Sequence, residues 1–210
     1  MVRERAVALL IDLDGVVRVF DPAVAAAAER RHDLPDGELF RIAFAWGRLR
    51  PAIAGECTHE EWLDSIVAEL AATTGTPPAV ARAAVDEWQA DRGRIVPEAL
   101  EFVRELRAAR IPVGLATNAT SRLDADLARL GLAGEFDVVV NSSVIGAHKP
   151  SREFFATACV AVATPPARCF FVDDDDRHVR GARVAGLSAY RWNGAADLPY
   201  LRAALAVPTA

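Results

Sequence analysis

Cysteine is scarce in this sequence. Cys57, Cys159 and Cys169 are the three among 210 residues, too few and too scattered for a disulfide framework or a zinc site. A basic excess is missing as well. Twenty-four Lys and Arg stand against 29 Asp and Glu, a net charge of −5, so the electrostatic footprint of a nucleic-acid binder is lacking. Long hydrophobic runs are absent too. The first apolar run, residues 6–11, stops at Asp12 and is too short for a signal-peptide core or a membrane span. There are no internal repeats and no low-complexity linker. With 52% hydrophobic and 25% charged residues, a disordered chain, a collagen-like fibre and a coiled coil are excluded. What remains is one globular domain, or one core domain carrying a modest insertion. The expected compartment is the cytoplasm, with neither nucleic acid nor membrane as a partner.

Two kinds of segment alternate along the chain. Short runs rich in Val, Ile, Leu and Phe, at residues 7–11, 113–116, 136–140 and 170–172, are bounded by polar or Gly/Pro punctuation and predict buried strands. Helical patterns separate the later ones, at 97–110, 121–130, 151–162 and 177–185, with Pro97 suited to a first turn and Gly131 and Gly186 as stops. This order predicts a Rossmann-like, three-layer α/β/α fold with a parallel sheet covered by helices on both faces. Residues 16–94 break the pattern. Four helical stretches, 23–31, 38–49, 60–73 and 78–89, occur there with no good strand among them. Thr58 and Glu61 form a capping-box signature ahead of the third. The expected division is therefore a core of residues 1–15 and 95–210 with an all-helical cap of residues 16–94 inserted in it. The tail from Pro199 is expected to be a short terminal helix or frayed.

Chemistry-bearing residues gather at the ends of the strands. The first strand ends in Asp12-Leu13-Asp14-Gly15. Alternation puts Asp12 and Asp14 on one side, and Gly15 lets the chain turn away. Two adjacent carboxylates call for a metal ion or a shared proton, unless they serve an Asx-turn or a helix cap. Thr117-Asn118 closes the second strand, with a hydroxyl and an amide that suit either an anionic oxygen or a cap. Lys149 stands just ahead of Pro150 and a helix. The fourth strand runs into Asp173, Asp174, Asp175 and Asp176, a carboxylate run that a hard cation such as Mg²⁺ would offset. In an open parallel sheet ligands bind beyond the carboxyl ends of the strands. All four groups are thus expected on one edge, where they meet the needs of phosphoryl transfer.

In that order and spacing the chain resembles the haloacid-dehalogenase-like hydrolase superfamily, in its helical-cap, subfamily IA-like phosphatase branch. Asp12-Leu13-Asp14-Gly15, Thr117-Asn118, Lys149-Pro150 and Phe171-Val172-Asp173-Asp174 are similar to its four motifs, and the resemblance covers essentially the whole chain. It implies that Asp12 attacks phosphorus to form an aspartyl-phosphate, and that Asp14 protonates the leaving oxygen and then activates water. It implies that Thr117, with Asn118 beside it, binds the phosphoryl oxygens, and that Lys149 offsets their charge. Mg²⁺ would be held by Asp12, the backbone carbonyl of Asp14 and Asp174, with Asp173 a ligand or an outer partner. The family's dehalogenases lack the second aspartate, so Asp14 favours phosphate esters over halides. Val16 departs from a frequent Thr, Arg18 and Asp21 flank the expected entrance, Asp175 replaces a frequent Ser, and His178 replaces a frequent Asp or Asn. A histidine at 178 could touch the metal shell or cap a helix, and the cap is the favoured reading.

A helical cap over the sheet edge would exclude water and favour a small phosphorylated metabolite over a phosphoprotein. Trp46, Arg48, Arg50 and Glu56, clustered around Pro51 and Gly55, are the candidate specificity residues. Their alternative roles are cap core for the tryptophan and a solvated face for the charges. The expected function is a Mg²⁺-dependent phosphatase. The competing readings are a sugar-phosphate mutase, a haloacid dehalogenase and a non-catalytic phosphate-binding module.

Overall fold

The computed structural model describes residues 5–205. The chain begins with β1 (Ala8–Ile11), whose four apolar residues are all buried. A two-residue strand β2 (Arg18–Val19) leads into five helices: α1 (Pro22–Arg31), α2 (Glu38–Ala43), α3 (Trp46–Ile53), α4 (His59–Thr74) and α5 (Pro78–Ala90). The return strand β3 (Arg94–Ile95) pairs antiparallel with β2, Arg18 opposite Ile95 and Val19 opposite Arg94. Next come α6 (Pro97–Ala108), β4 (Val113–Thr117), α7 (Leu123–Arg129), β5 (Val138–Asn141), α8 (Ser142–Ile145), α9 (Arg152–Ala161), β6 (Cys169–Asp173), α10 (Asp176–Val184), β7 (Ser188–Arg191) and α11 (Leu198–Leu205). The main sheet is parallel, in the order β5-β4-β1-β6-β7.

The alternation of β1 sorts its side chains onto two cores. Leu9 and Ile11 pack with Phe102, Val103 and Leu106 of α6 and with Leu201 and Leu205 of α11. Ala8 and Leu10 face the other way, towards Phe154, Phe155 and Ala158 of α9 and Val179 and Ala182 of α10. A third cluster is private to the insertion. Leu39 and Ile42 of α2, Ala52 of α3, Trp62, Ile66 and Leu70 of α4 and Ala81, Ala84 and Val85 of α5 bury one another there. The insertion therefore has its own core and sits as a helical cap between β1 and β4. Its longest helix, α4, starts at the Thr58–Glu61 capping box, with both reciprocal bonds made (3.1 and 2.7 Å), and stops at Gly75 in the left-handed region.

Three sequence-based expectations change. The stretch 38–49 is two helices, because the chain turns at extended Ala45, and each short helix then buries its own apolar face, Leu39 and Ile42 in one and Ala52 and Ile53 in the other. The insertion is bounded by the β2–β3 ribbon, whose two-residue strands are too short to carry a period-2 signal. The edge strand β7 was not expected, since Ser188-Ala189-Tyr190-Arg191 alternates burial without an apolar run. The tail forms α11 up to Leu205, and residues beyond 205 lie outside the described part.

Candidate active site

The parallel register fixes the centre. Ile11 lies opposite Val172, and the amide of Asp12 donates to the carbonyl of Val172 (2.9 Å). Asp12 therefore emerges beside Asp173, the last residue of β6. Between them stands Lys149, whose side chain is wholly buried. Its Nζ lies 2.8 Å from Oδ1 of Asp12 and 2.6 Å from Oδ2 of Asp173. Burial drives the Asp12 carboxyl well above the usual carboxylate range. Lys149 opposes that shift, and Asp173 adds to it. Burial acts against the Lys149 ammonium, but the two carboxylates outweigh it and hold its pKa above the ordinary lysine value. Burial likewise acts to raise Asp173, and Lys149 with His178 overcomes it, leaving that carboxyl below its usual range. One cation thus serves two buried carboxyl groups.

Asn118 sets the height of the lysine. Its Oδ1 accepts from the Lys149 amide (2.8 Å), and its Nδ2 donates to the Lys149 carbonyl (3.1 Å). The side-chain amide expected to face an anionic oxygen is thereby spent on bracing the loop that carries Lys149. Thr117 is buried at the end of β4. His178 is not a cap. Asp175 caps α10 by accepting from the Arg177 amide (2.7 Å), while Nδ1 of His178 reaches back to both Asp173 oxygens at 3.2 Å. One ligand atom from each of Asp12, Asp173 and His178 lies within 4.8 Å of the others. Asp174 joins from the side. Gly15 has φ +84°, and a Cβ there would overlap the Asp174 carboxyl, which rests in the space a side chain would fill. Burial and the neighbouring Asp173 raise the Asp174 pKa. Hard oxygen donors in a negative, partly desolvated cluster fit Mg²⁺.

Asp14 lies one tight turn further on, where Val17 and Arg18 both donate backbone amides to the Leu13 carbonyl (2.9 and 2.7 Å). Its carboxylate is held by both arms of Arg18, Nε to Oδ1 at 2.6 Å and Nη2 to Oδ2 at 3.0 Å. The same buried guanidinium reaches Asp126 (3.4 Å), which also pairs with Arg92 (3.4 Å) and Arg122 (3.1 Å). Arg122 continues the network into the cap. Its Nη1 donates to Gln89 Oε1 (2.6 Å) and to His59 Nε2 (2.7 Å). Arginine has no lone pair to offer, so Nε2 is the acceptor and Nδ1 of His59 carries the proton, donated to Thr120 Oγ1 (2.9 Å). Burial and then Arg122 push the His59 pKa down to about 4.

Beside Asp14 a cavity of about 220 Å³ opens between cap and core. Its floor carries Asp14, Asn118, Thr120 and Arg122, and its walls carry Phe40, Phe44, Trp62 and Trp88. The four expected cap residues stand outside this lining. Arg50 and Glu56 pair with each other on the surface (2.6 Å), Arg48 is tied to Ser65 and Glu69 of α4, and half-exposed Trp46 meets the His148 ring edge-on at 5.3 Å. Sequence position suggested them, but α3 faces the cavity through Leu49 and Ile53, and Phe40, Phe44, Trp62 and Trp88 supply its aromatic walls. Arg18 had a signal in the sequence, as a departure beside the entrance. Asp126, Arg122 and His59 had none, because two distant segments supply them, His59 standing 63 residues ahead of Arg122.

Comparison with known proteins agrees with this geometry. Residues 7–186 match the haloacid dehalogenase-like hydrolase family. The chain is 31% identical over 198 residues to a ribulose-1,5-bisphosphate 5-phosphatase from Halopiger xanaduensis, covering 87% of this chain and 82% of that protein. It is 30% identical over 189 residues to a phosphatase from Mycobacterium tuberculosis, covering 87% and 85%. Among solved structures, a HAD family enzyme from Bacteroides thetaiotaomicron superposes with a TM-score of 0.73 at 20% identity, covering 94% of this chain and 98% of that one. The same enzyme's complex with magnesium and inorganic phosphate gives 0.67 at 20% identity, covering 89% and 93%. Asp12, Lys149 and Asp173 meet at the carboxyl edge of a parallel sheet, a helical cap encloses that edge, and the family match spans both, so this chain belongs to the haloacid dehalogenase-like hydrolases.

Proposed function

We propose that the protein is a Mg²⁺-dependent phosphomonoesterase that acts on a small phosphorylated metabolite through an aspartyl-phosphate on Asp12. The observation that carries this reading is the buried Lys149 ammonium between Asp12 and Asp173, with a second aspartate, Asp14, two residues beyond the first. The relatives, which are themselves phosphatases, support it. An Asp12 oxygen attacks phosphorus and the bond to the leaving oxygen breaks, with Asp14 delivering the proton. Water then attacks the aspartyl-phosphate, gives its proton to Asp14 and restores Asp12. Lys149 offsets the repulsion between a carboxylate and a phosphate dianion, and Thr117 contributes its hydroxyl to the phosphoryl oxygens. Asn118 acts through the Lys149 backbone it braces. Asp12, the Asp14 carbonyl and Asp174, with Asp173 behind them, would hold Mg²⁺, which when bound neutralises phosphoryl charge.

Arg18 has a defined part in this scheme. A carboxylate gripped at both oxygens is held in one orientation, so Arg18 sets the direction in which Asp14 faces. The test is release of p-nitrophenol from p-nitrophenyl phosphate with and without Mg²⁺, beside Asp12→Asn. The expected result is turnover that needs both Mg²⁺ and Asp12, with an unchanged circular-dichroism spectrum for the variant. Near wild-type turnover by Asp12→Asn would overturn the nucleophile assignment, and indifference to a chelator would overturn the metal.

A further inference from the structure

The cavity beside Asp14 is walled by aromatic rings from three separate helices of the cap. Phe40 and Phe44 stack at 5.1 Å, and both meet Trp88, at 6.0 and 6.4 Å, which in turn meets Trp62 at 6.3 Å. Phe20, just after β2, joins them, with the Arg18 guanidinium 4.8 Å from its ring centre. Phe20, Phe40 and Phe44 stay 42%, 42% and 49% exposed. Aromatic rings left this exposed around one cleft, from separate helices, present a face for a ligand.

The polar groups of the same lining are already engaged with one another. Asp14 and Asp126 are taken up by arginines, Gln89 and His59 by Arg122, and Asn118 by the Lys149 backbone. Asp21 and Asp91 accept from the amides of Ala23 and Gly93. A hydroxyl-rich leaving group entering here would exchange water for few new partners, which is costly for each group left unpaired. A planar apolar group would gain ring contacts and lose little. The volume agrees, since an apolar cavity of about 150 Å³ already accommodates benzene and this one measures about 220 Å³.

We propose that the alcohol portion of the substrate carries an aromatic group of one or two rings, seated against Phe40, Phe44 and Trp88 while the phosphate lies at Asp12. This rests on the phosphomonoesterase reading above and narrows it. Benzyl phosphate, 2-naphthylmethyl phosphate, ethyl phosphate and glycerol 1-phosphate are all esters of primary alcohols, so their leaving groups are comparable in reactivity. Phosphate release by the full chain with Mg²⁺ is expected to show kcat/KM at least tenfold higher for the two arylmethyl esters, mostly through KM. In Phe44→Ala, a change at a half-exposed position, that ratio should collapse towards one. Turnover of all four esters with glycerol 1-phosphate or ethyl phosphate equal or better would overturn the aromatic seat and leave the phosphatase reading standing. A second measurement separates the two ideas, namely quenching of Trp62 and Trp88 fluorescence by 2-naphthylmethylphosphonate and by methylphosphonate. Saturable quenching by the naphthyl compound alone, with no ester hydrolysed, would support the seat and overturn the phosphatase reading. Neither hydrolysis nor saturable quenching would overturn both.

Discussion

Replacing Lys149 by methionine keeps the length and bulk of the side chain but deletes the charge that separates two buried carboxylates. The Nζ lies within 2.8 Å of Asp12 and 2.6 Å of Asp173, and none of the three side chains is more than 8% exposed. Breaking a buried ion pair by removing one partner costs about 3–5 kcal/mol, because the remaining charge is left uncompensated. In a domain of this size each kcal/mol moves the melting temperature by about 2–4 °C, so a fall of about 6–20 °C is expected. Differential scanning calorimetry in a chelating buffer at neutral pH would read it without interference from metal. The cause is checked by adding Asp12→Asn to the same chain. With one carboxylate neutralised, a substantial part of the lost stability should return. A melting temperature within about 2 °C of wild type for Lys149→Met, or no recovery in the double variant, would refute the charge argument.

Gly15→Ala forces a side chain onto a φ of +84° and into the Asp174 carboxyl; it should cost more than about 1 kcal/mol and raise the Mg²⁺ concentration for half-maximal activity about tenfold, whereas an unshifted Mg²⁺ titration would remove Asp174 from the ligand set. Arg18→Lys replaces a two-point grip on Asp14 with a single point; a fall in kcat of about 10–100-fold with a smaller change in KM is expected from a misplaced acid, and an unaltered kcat, or a loss confined to KM, would count against the positioning role. His59 has a folded pKa of about 4 against an ordinary value of 6.5. The unfolded chain therefore takes up a proton that the folded one refuses, and the stability from the neutral ring, complete above pH 6.5, is lost as pH falls towards 4, by no more than about 3 kcal/mol. His59→Gln should flatten that acid limb in pH-dependent urea denaturation, and an equally steep limb would show that other groups produce it.

The central chemistry was legible because it is carried by local sequence. An apolar run that ends in Asp-x-Asp-Gly places its carboxylates through strand alternation alone, and a parallel sheet brings successive strand ends to one edge whatever the helices do. Asp12, Asp173 and Lys149 meet as that logic requires. The Thr58–Glu61 cap was equally local, three residues apart on one turn. The division of a helical stretch at Ala45 was not legible, since each half has a helical pattern and the break is dictated by packing against α4.

By itself, then, the sequence determined four of the five strands of the parallel sheet, the edge at which Asp12, Lys149 and Asp173 meet and the presence of a helical insertion. The tertiary structure decided the rest. It committed Asn118 to the Lys149 backbone and His178 to Asp173. It gathered Arg18, Arg92 and Arg122 around Asp126 from segments up to 108 residues apart. It turned Phe40, Phe44 and Trp88, rather than Trp46, towards the cavity. The physical reason is one of range. Alternation, capping and turn geometry act within a few residues and can be read along the chain, but the direction in which one cap helix faces another is set by which apolar surfaces exclude the most water together, and that sum is known only when every helix is in place.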